Sequence, residues 1–203
     1  MRKGEGMGEE RVQRVALFGG SFDPPHRGHV AMAEAAVGAC GLDRVVFVPC
    51  RESPLKDRRP GAGGADRVAM LEGVTEGLGW AEVSDWEIGR EGPSYSWETV
   101  AYFRGRWPGV ELWWVMGEDQ WAALERWARP EVLREGLRFI VFARLGAEPE
   151  PRAGWRMTVV PGEWEVSSTR VREVLVTGGD VSGMLMPETE RYIRERGLYG
   201  ARA

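Results

Sequence analysis

Residues 14–29 read Arg-Val-Ala-Leu-Phe-Gly-Gly-Ser-Phe-Asp-Pro-Pro-His-Arg-Gly-His. The apolar run from Arg14 to Phe18 stops at two glycines. A loop containing Ser21, Phe22, Asp23 and two prolines then leads into a stretch with helical spacing, Gly28 to Ala39. A buried strand that passes through a glycine turn into a helix is the opening unit of a parallel α/β sheet. In such sheets ligands bind beyond the carboxyl ends of the strands, and a glycine turn lets backbone approach a phosphate at the following helix N-terminus. Gly19, Gly20 and Gly28 are expected to supply that freedom.

Outward from this unit, further apolar runs lie at Arg44 to Pro49, Ala81 to Val83, Glu111 to Met116, Leu137 to Ala143 and Met157 to Val160. They read as buried strands. Helical spacing separates them at Ala65 to Leu78, Ser96 to Trp107 and Asp119 to Trp127. The alternation predicts an α/β fold, a Rossmann-like doubly wound parallel sheet with right-handed crossovers. Ser168 to Val176 and Pro187 to Arg196 predict a C-terminal helical appendage, with Ser168 and Pro187 at helix starts. Residues 1–12 lack periodicity and are expected to be a flexible extension, leaving 13–203 as a single domain that is helical from about residue 168. Cys50 to Gly64 and Gly146 to Gly154 are long, Pro- and Gly-rich connections, the kind that is often functional.

The chain has 203 residues, 43% hydrophobic and 29% charged, near the average for globular proteins. One core of this size needs no disulfide or metal staple. Net charge is −4, and the 27 basic residues form no long run, so no nucleic-acid partner is expected. No apolar stretch approaches the ~18 residues of a membrane span, and Glu5, Glu9 and Glu10 replace the apolar centre of a signal peptide. A cytoplasmic protein is expected, with Cys40 and Cys50 reduced.

His26 and His29 are the only histidines. Three residues apart at a helix start, they project from one face of its first turn and can address one ligand. Imidazole N–H groups beside a helix N-terminus suit the charge that builds on a polyphosphate as one of its bonds breaks. An isolated histidine at a helix start is usually a surface or capping residue, and Asp23 alone would be a turn residue. Their joint placement among glycines after a strand favours an anion clamp. A zinc set of His26, His29, Cys40 and Cys50 matches no usual ligand spacing, and no protein-bound metal is expected.

The segment Gly19 to His29 resembles the nucleotide-binding motif of the bacterial nicotinate-nucleotide adenylyltransferases, within the HxGH nucleotidyltransferase superfamily. Val166-Ser167-Ser168-Thr169-Arg170-Val171-Arg172 is similar to the family's second motif, Ile-Ser-Ser-Thr-x-x-Arg. It offers hydroxyls, free N–H groups at a helix start and a guanidinium one turn on, a second phosphate cradle. Gly92 to Thr99 resembles the family's Pro-Ser-Tyr-Thr-x-Asp-Thr segment, with Ser96 for Thr and Glu98 for Asp. Met116 to Trp121 and the later Trp127 resemble the Gly-x-Asp segment and the tryptophan that stacks on the pyridine ring, and Arg144 matches an arginine after the fifth strand. Two departures stand out: Leu55 replaces the histidine of a Pro-His-Lys loop, and Glu118 replaces a small or neutral residue.

The resemblance implies adenylyl transfer from ATP to nicotinate mononucleotide, giving deamido-NAD and pyrophosphate in NAD biosynthesis. Mg2+ would arrive on ATP. His26, His29 and Arg172 would be catalytic. Gly19, Gly20, Ser21, Phe22, Asp23, Gly28, Ser168 and Thr169 would bind ATP, and Ser94, Tyr95, Ser96, Gly117, Asp119, Trp127 and Arg144 the acceptor. Three alternatives stay open: preference for nicotinamide mononucleotide, another phosphate acceptor such as phosphopantetheine, or a nucleotide-sensing module without turnover. Assembly into a homo-oligomer also stays open.

Overall fold

A computed structural model describes residues 13–55, 59–162 and 166–201. The expected extension at 1–12 lies outside the described residues. Six strands, β1 (Arg14–Gly20), β2 (Arg44–Pro49), β3 (Ala81–Val83), β4 (Glu111–Gly117), β5 (Arg138–Arg144) and β6 (Met157–Gly162), form one sheet in the order β3-β2-β1-β4-β5-β6. Every neighbouring pair is parallel. This is a doubly wound, Rossmann-like sheet whose strand order reverses between β1 and β4, and the crevice at such a reversal is where these folds bind ligands.

The helices are α1 (Arg27–Cys40), α2 (Gly64–Thr75), α3 (Ser96–Arg106), α4 (Glu118–Ala122), α5 (Pro130–Gly136), α6 (Ser168–Val176) and α7 (Pro187–Arg196). Alternate strand residues serve the two faces of the sheet. Ala16, Phe18, Phe47, Val115 and Ile140 share one core with Ala33 and Ala36 of α1 and Leu71 of α2. Leu17, Val46, Trp114, Met116 and Phe139 share the other with Val100 and Phe103 of α3 and Leu133 of α5.

Two features differ from the sequence expectation. The helix expected from Asp119 to Trp127 breaks into α4, a 3-10 turn at Leu124–Arg126 and an extended Trp127. The unexpected α5 starts at Pro130 after Arg129 in a left-handed conformation (φ 52°), and with seven residues it is too short to show periodicity. α6 spans Ser168–Val176 as expected, capped by Ser167, whose hydroxyl accepts from Arg170 N.

The C-terminal helices pack onto the sheet domain. Met70 of α2, Ala62, Val171 and Leu175 of α6 and Ile193 of α7 form a third apolar cluster. Arg27 N at the start of α1 donates to Met184 O at 2.9 Å. No helix among the described residues is long and apolar enough to cross a membrane.

Candidate functional site

The loop from β1 to α1 folds around Phe22, which has a positive φ (47°) and is 1% exposed. Its ring packs edge-on against Phe18, Phe47 and His29. Gly19, Gly20 and Gly28 are absent from the positive-φ glycines, so no unusual backbone conformation calls for them. Close approach is what they supply. A Cβ on Gly19 would lie 2.7 Å from Trp114 Cζ2, one on Gly20 3.0 Å from the Phe22 ring, and one on Gly28 3.1 Å from His26 Nδ1.

The His26 and His29 rings stack at 3.6 Å, so the expected shared face is present. His26 N donates to His29 Nδ1 at 3.2 Å, which in the neutral imidazole leaves the His29 proton on Nε2. His26 is 5% exposed, its Nδ1 is buried without a partner, and burial pulls its pKa from 6.5 to about 4. A buried nitrogen left unpaired costs about 1–3 kcal/mol.

The two motifs, about 145 residues apart in sequence, meet at this loop. Ser168 Oγ donates to Pro24 O at 2.8 Å, and Arg172 Nη1 to Asp23 O at 2.6 Å. Arg172 Nη2 also reaches Thr169 Oγ1 at 3.2 Å. The Asp23 carboxylate, expected among the ATP ligands, is occupied within the chain. Gly61 N donates to Oδ2 at 2.8 Å, while Ala62 N and the Tyr199 hydroxyl donate to Oδ1 at 3.0 and 2.8 Å. A nucleotide could therefore meet this loop through its backbone, not through the Asp23 carboxylate or the buried Phe22 ring.

Beside the ends of β1 and β4 opens a cleft of about 540 Å³, at the reversal in strand order. Gly19, Gly20 and Ser21 of the first motif line it with Ser94, Tyr95, Ser96, Asp119 and Trp127. Gly117 and Arg144 fall outside that lining, as do His26, His29, Ser168, Thr169 and Arg172, which gather at the end of the loop after β1 and the start of α6. The Arg144 side chain is 81% exposed and stands 3.9 Å from Glu118, so the departure at Glu118 pairs with a solvated arginine. Leu55, the other departure, lines the cleft and is 44% exposed. Among the described residues no cluster of three or more His, Cys, Asp or Glu is arranged to hold a metal ion, and both cysteines are free thiols.

Three charged residues not singled out from the sequence belong here. Glu87 lines the cleft at 5% exposure, and burial raises its pKa against hydrogen bonds from Thr99 and Ser94. It thereby braces the segment that carries Ser94 to Ser96. Arg67 is 2% exposed and donates to Ser21 O (2.7 Å), Cys50 O (2.8 Å) and Ala62 O (3.3 Å), closing the ends of β1 and β2. Arg126, exposed and next to Trp127, brings a cation to the cleft. Isolated charges of this kind carry no sequence pattern; their partners appear only in three dimensions.

Comparison with known proteins gives the family and the fold. Residues 17–174 match the cytidylyltransferase-like family model. A protein of Neisseria meningitidis serogroup C, named "probable nicotinate-nucleotide adenylyltransferase", is 38% identical over 202 residues, covering 93% of this chain and 99% of that protein. One of the same name from Gloeobacter violaceus is 37% identical, covering 92% and 96%. A solved structure, the nicotinic acid mononucleotide adenylyltransferase of Plasmodium falciparum complexed with NaAD, superposes with a TM-score of 0.77 at 17% identity, covering 94% of this chain and 98% of that one, and attests the fold.

Proposed function

The chain belongs to the nicotinate-nucleotide adenylyltransferases, within the cytidylyltransferase-like family, and from that premise we propose that it joins the 5′-phosphate of nicotinate mononucleotide to the α-phosphorus of ATP. The products are deamido-NAD and pyrophosphate. The observation that carries this reading is the meeting of the loop after β1, which bears the stacked His26 and His29, with Ser168 and Arg172 of α6, while Gly19 to Ser21 at the start of the same loop line the cleft that holds Trp127.

An oxygen of the mononucleotide phosphate attacks the α-phosphorus. The bond from that phosphorus to the bridging oxygen breaks, and pyrophosphate leaves with the electron pair. A phosphate monoester with a second pKa near 6 is largely dianionic at pH 7, so the nucleophile needs no general base. Catalysis is then positioning and charge stabilisation. His29 donates from Nε2 near the α-phosphate, and His26 serves the leaving group. Arg172 and the N–H groups of Ser168 and Thr169 hold the β- and γ-phosphates. The nucleotide would be taken as MgATP, the metal belonging to the substrate and not to a protein site.

Trp127 offers its face to the pyridine ring, with Ser94 to Ser96 and Asp119 around it. Arg126 faces the acceptor's negative charge. Gly117 turns the chain into α4, and Arg144 acts on Glu118 at the rim. Residues 13–203 function as one nucleotidyltransferase domain.

The test is mass identification of deamido-NAD after incubation with MgATP and nicotinate mononucleotide, for wild type and His29→Ala. Loss of one such donor is expected to lower kcat by about 10²–10³, or about 2.7–4 kcal/mol. A folded His29→Ala protein with near-normal turnover would contradict the assignment.

A further inference from the structure

Tyr199 lies 27 residues beyond Arg172 and outside both motifs, yet its hydroxyl donates to Asp23 Oδ1 at 2.8 Å. The tail is bent to bring it there: Gly197, Tyr199 and Gly200 all have positive φ, 61°, 57° and 71°. For a tyrosine this backbone is strained, and it persists where surrounding contacts over-determine it. Its ring lies over Gly61, where a Cβ would sit 3.3 Å from Tyr199 Cε1. Burial and the Asp23 carboxylate push the phenol far above its ordinary pKa, so the hydroxyl remains a donor.

Asp23 in turn holds Arg172 by two routes. Its carbonyl accepts from Nη1 at 2.6 Å, and its Oδ2 stands 3.6 Å from the same nitrogen. The carboxylate is 8% exposed on its side chain and has three further donors, so its orientation is set by the chain and not by water. Arg172 and Tyr199 line one cavity of about 620 Å³ with Thr169 and Gly61. A guanidinium directs its five donors usefully at a phosphate only if its plane is fixed.

We infer that Tyr199 is a positioning residue: by holding the Asp23 carboxylate it fixes the Arg172 guanidinium for the polyphosphate. The inference rests on the proposed adenylyl transfer in naming MgATP as the substrate affected. Among the described residues none beyond Arg172 lines the cleft that holds Trp127, so the effect is expected on MgATP and not on the acceptor.

The experiment compares wild type, Tyr199→Phe, Arg172→Ala and the double variant. Phenylalanine keeps the ring over Gly61 and removes only the hydroxyl. Tyr199→Phe is expected to raise KM for MgATP about tenfold, with KM for nicotinate mononucleotide changed less than twofold. In the Arg172→Ala background the same change is expected to move KM for MgATP less than twofold. Independently of turnover, phenylglyoxal labelling of Arg172, read by peptide mass spectrometry against the exposed Arg170, is expected to quicken severalfold in Tyr199→Phe. Parallel rises in both KM values, equal effects in the two backgrounds, or labelling that does not quicken would each overturn the inference. A wild type without pyrophosphate release contradicts the proposed function instead, and labelling still decides the role of Tyr199. If Tyr199→Phe does not fold, Asp23→Asn takes its place with the same expected outcomes.

Discussion

At pH 7 the His26 imidazole is neutral, because burial lowers its pKa from 6.5 to about 4. The sign of its effect on stability follows by linkage. Between those two values the unfolded chain binds a proton that the folded chain does not, so stability contributed by neutral His26 is complete above about pH 6.5 and is lost as pH falls toward 4. The full loss is at most about 3 kcal/mol, from 1.36 kcal/mol per pH unit. Urea denaturation from pH 7.5 to 4.5 is expected to give a falling midpoint for wild type and a flatter one for His26→Gln. Equal slopes would place the pH dependence elsewhere. The histidine pair was readable from the sequence, because helix geometry alone puts residues three apart on one face. Asp23 was not readable as a hub. Its partners Gly61, Arg172 and Tyr199 are 38, 149 and 176 residues away, and no local pattern reports them.

Among the elements, strands β1, β2, β4 and β5 were legible as apolar runs because both faces of the sheet are covered. The broken helix after β4 was not, since apolar residues continue through Trp121, Leu124 and Trp127 while the backbone changes from α to 3-10 to extended. The glycines of β1 were legible in the sequence, but the ring that packs on one of them was not. Gly19 is set by packing against Trp114, which lines the cleft. Gly19→Ala places a Cβ 2.7 Å from that ring. Overpacking of this kind is expected to lower stability by about 1–3 kcal/mol and, by displacing Trp114, to raise KM for the mononucleotide. Thermal unfolding and acceptor titration check both, and an unchanged melting temperature with unchanged KM would contradict the packing explanation.

Across the whole molecule, the strand reversal between β1 and β4 positions one cleft, and the C-terminal segment closes on the loop after β1 through Ser168, Arg172 and Tyr199. Sequence order could foretell the sheet but not this closure, which depends on how α6 and α7 dock on α2 and the start of α1. Glu118 need not oppose an acidic acceptor for a local reason: its carboxylate turns to Arg144, outside the cleft lining, while Arg126 stands within it. The most direct test of the central claim is steady-state pyrophosphate release from MgATP with nicotinate mononucleotide and, in parallel, with nicotinamide mononucleotide. The account predicts turnover with both through the shared phosphate site and a kcat/KM at least tenfold higher for the acid. Preference for the amide, or no pyrophosphate release with the acid, would contradict it.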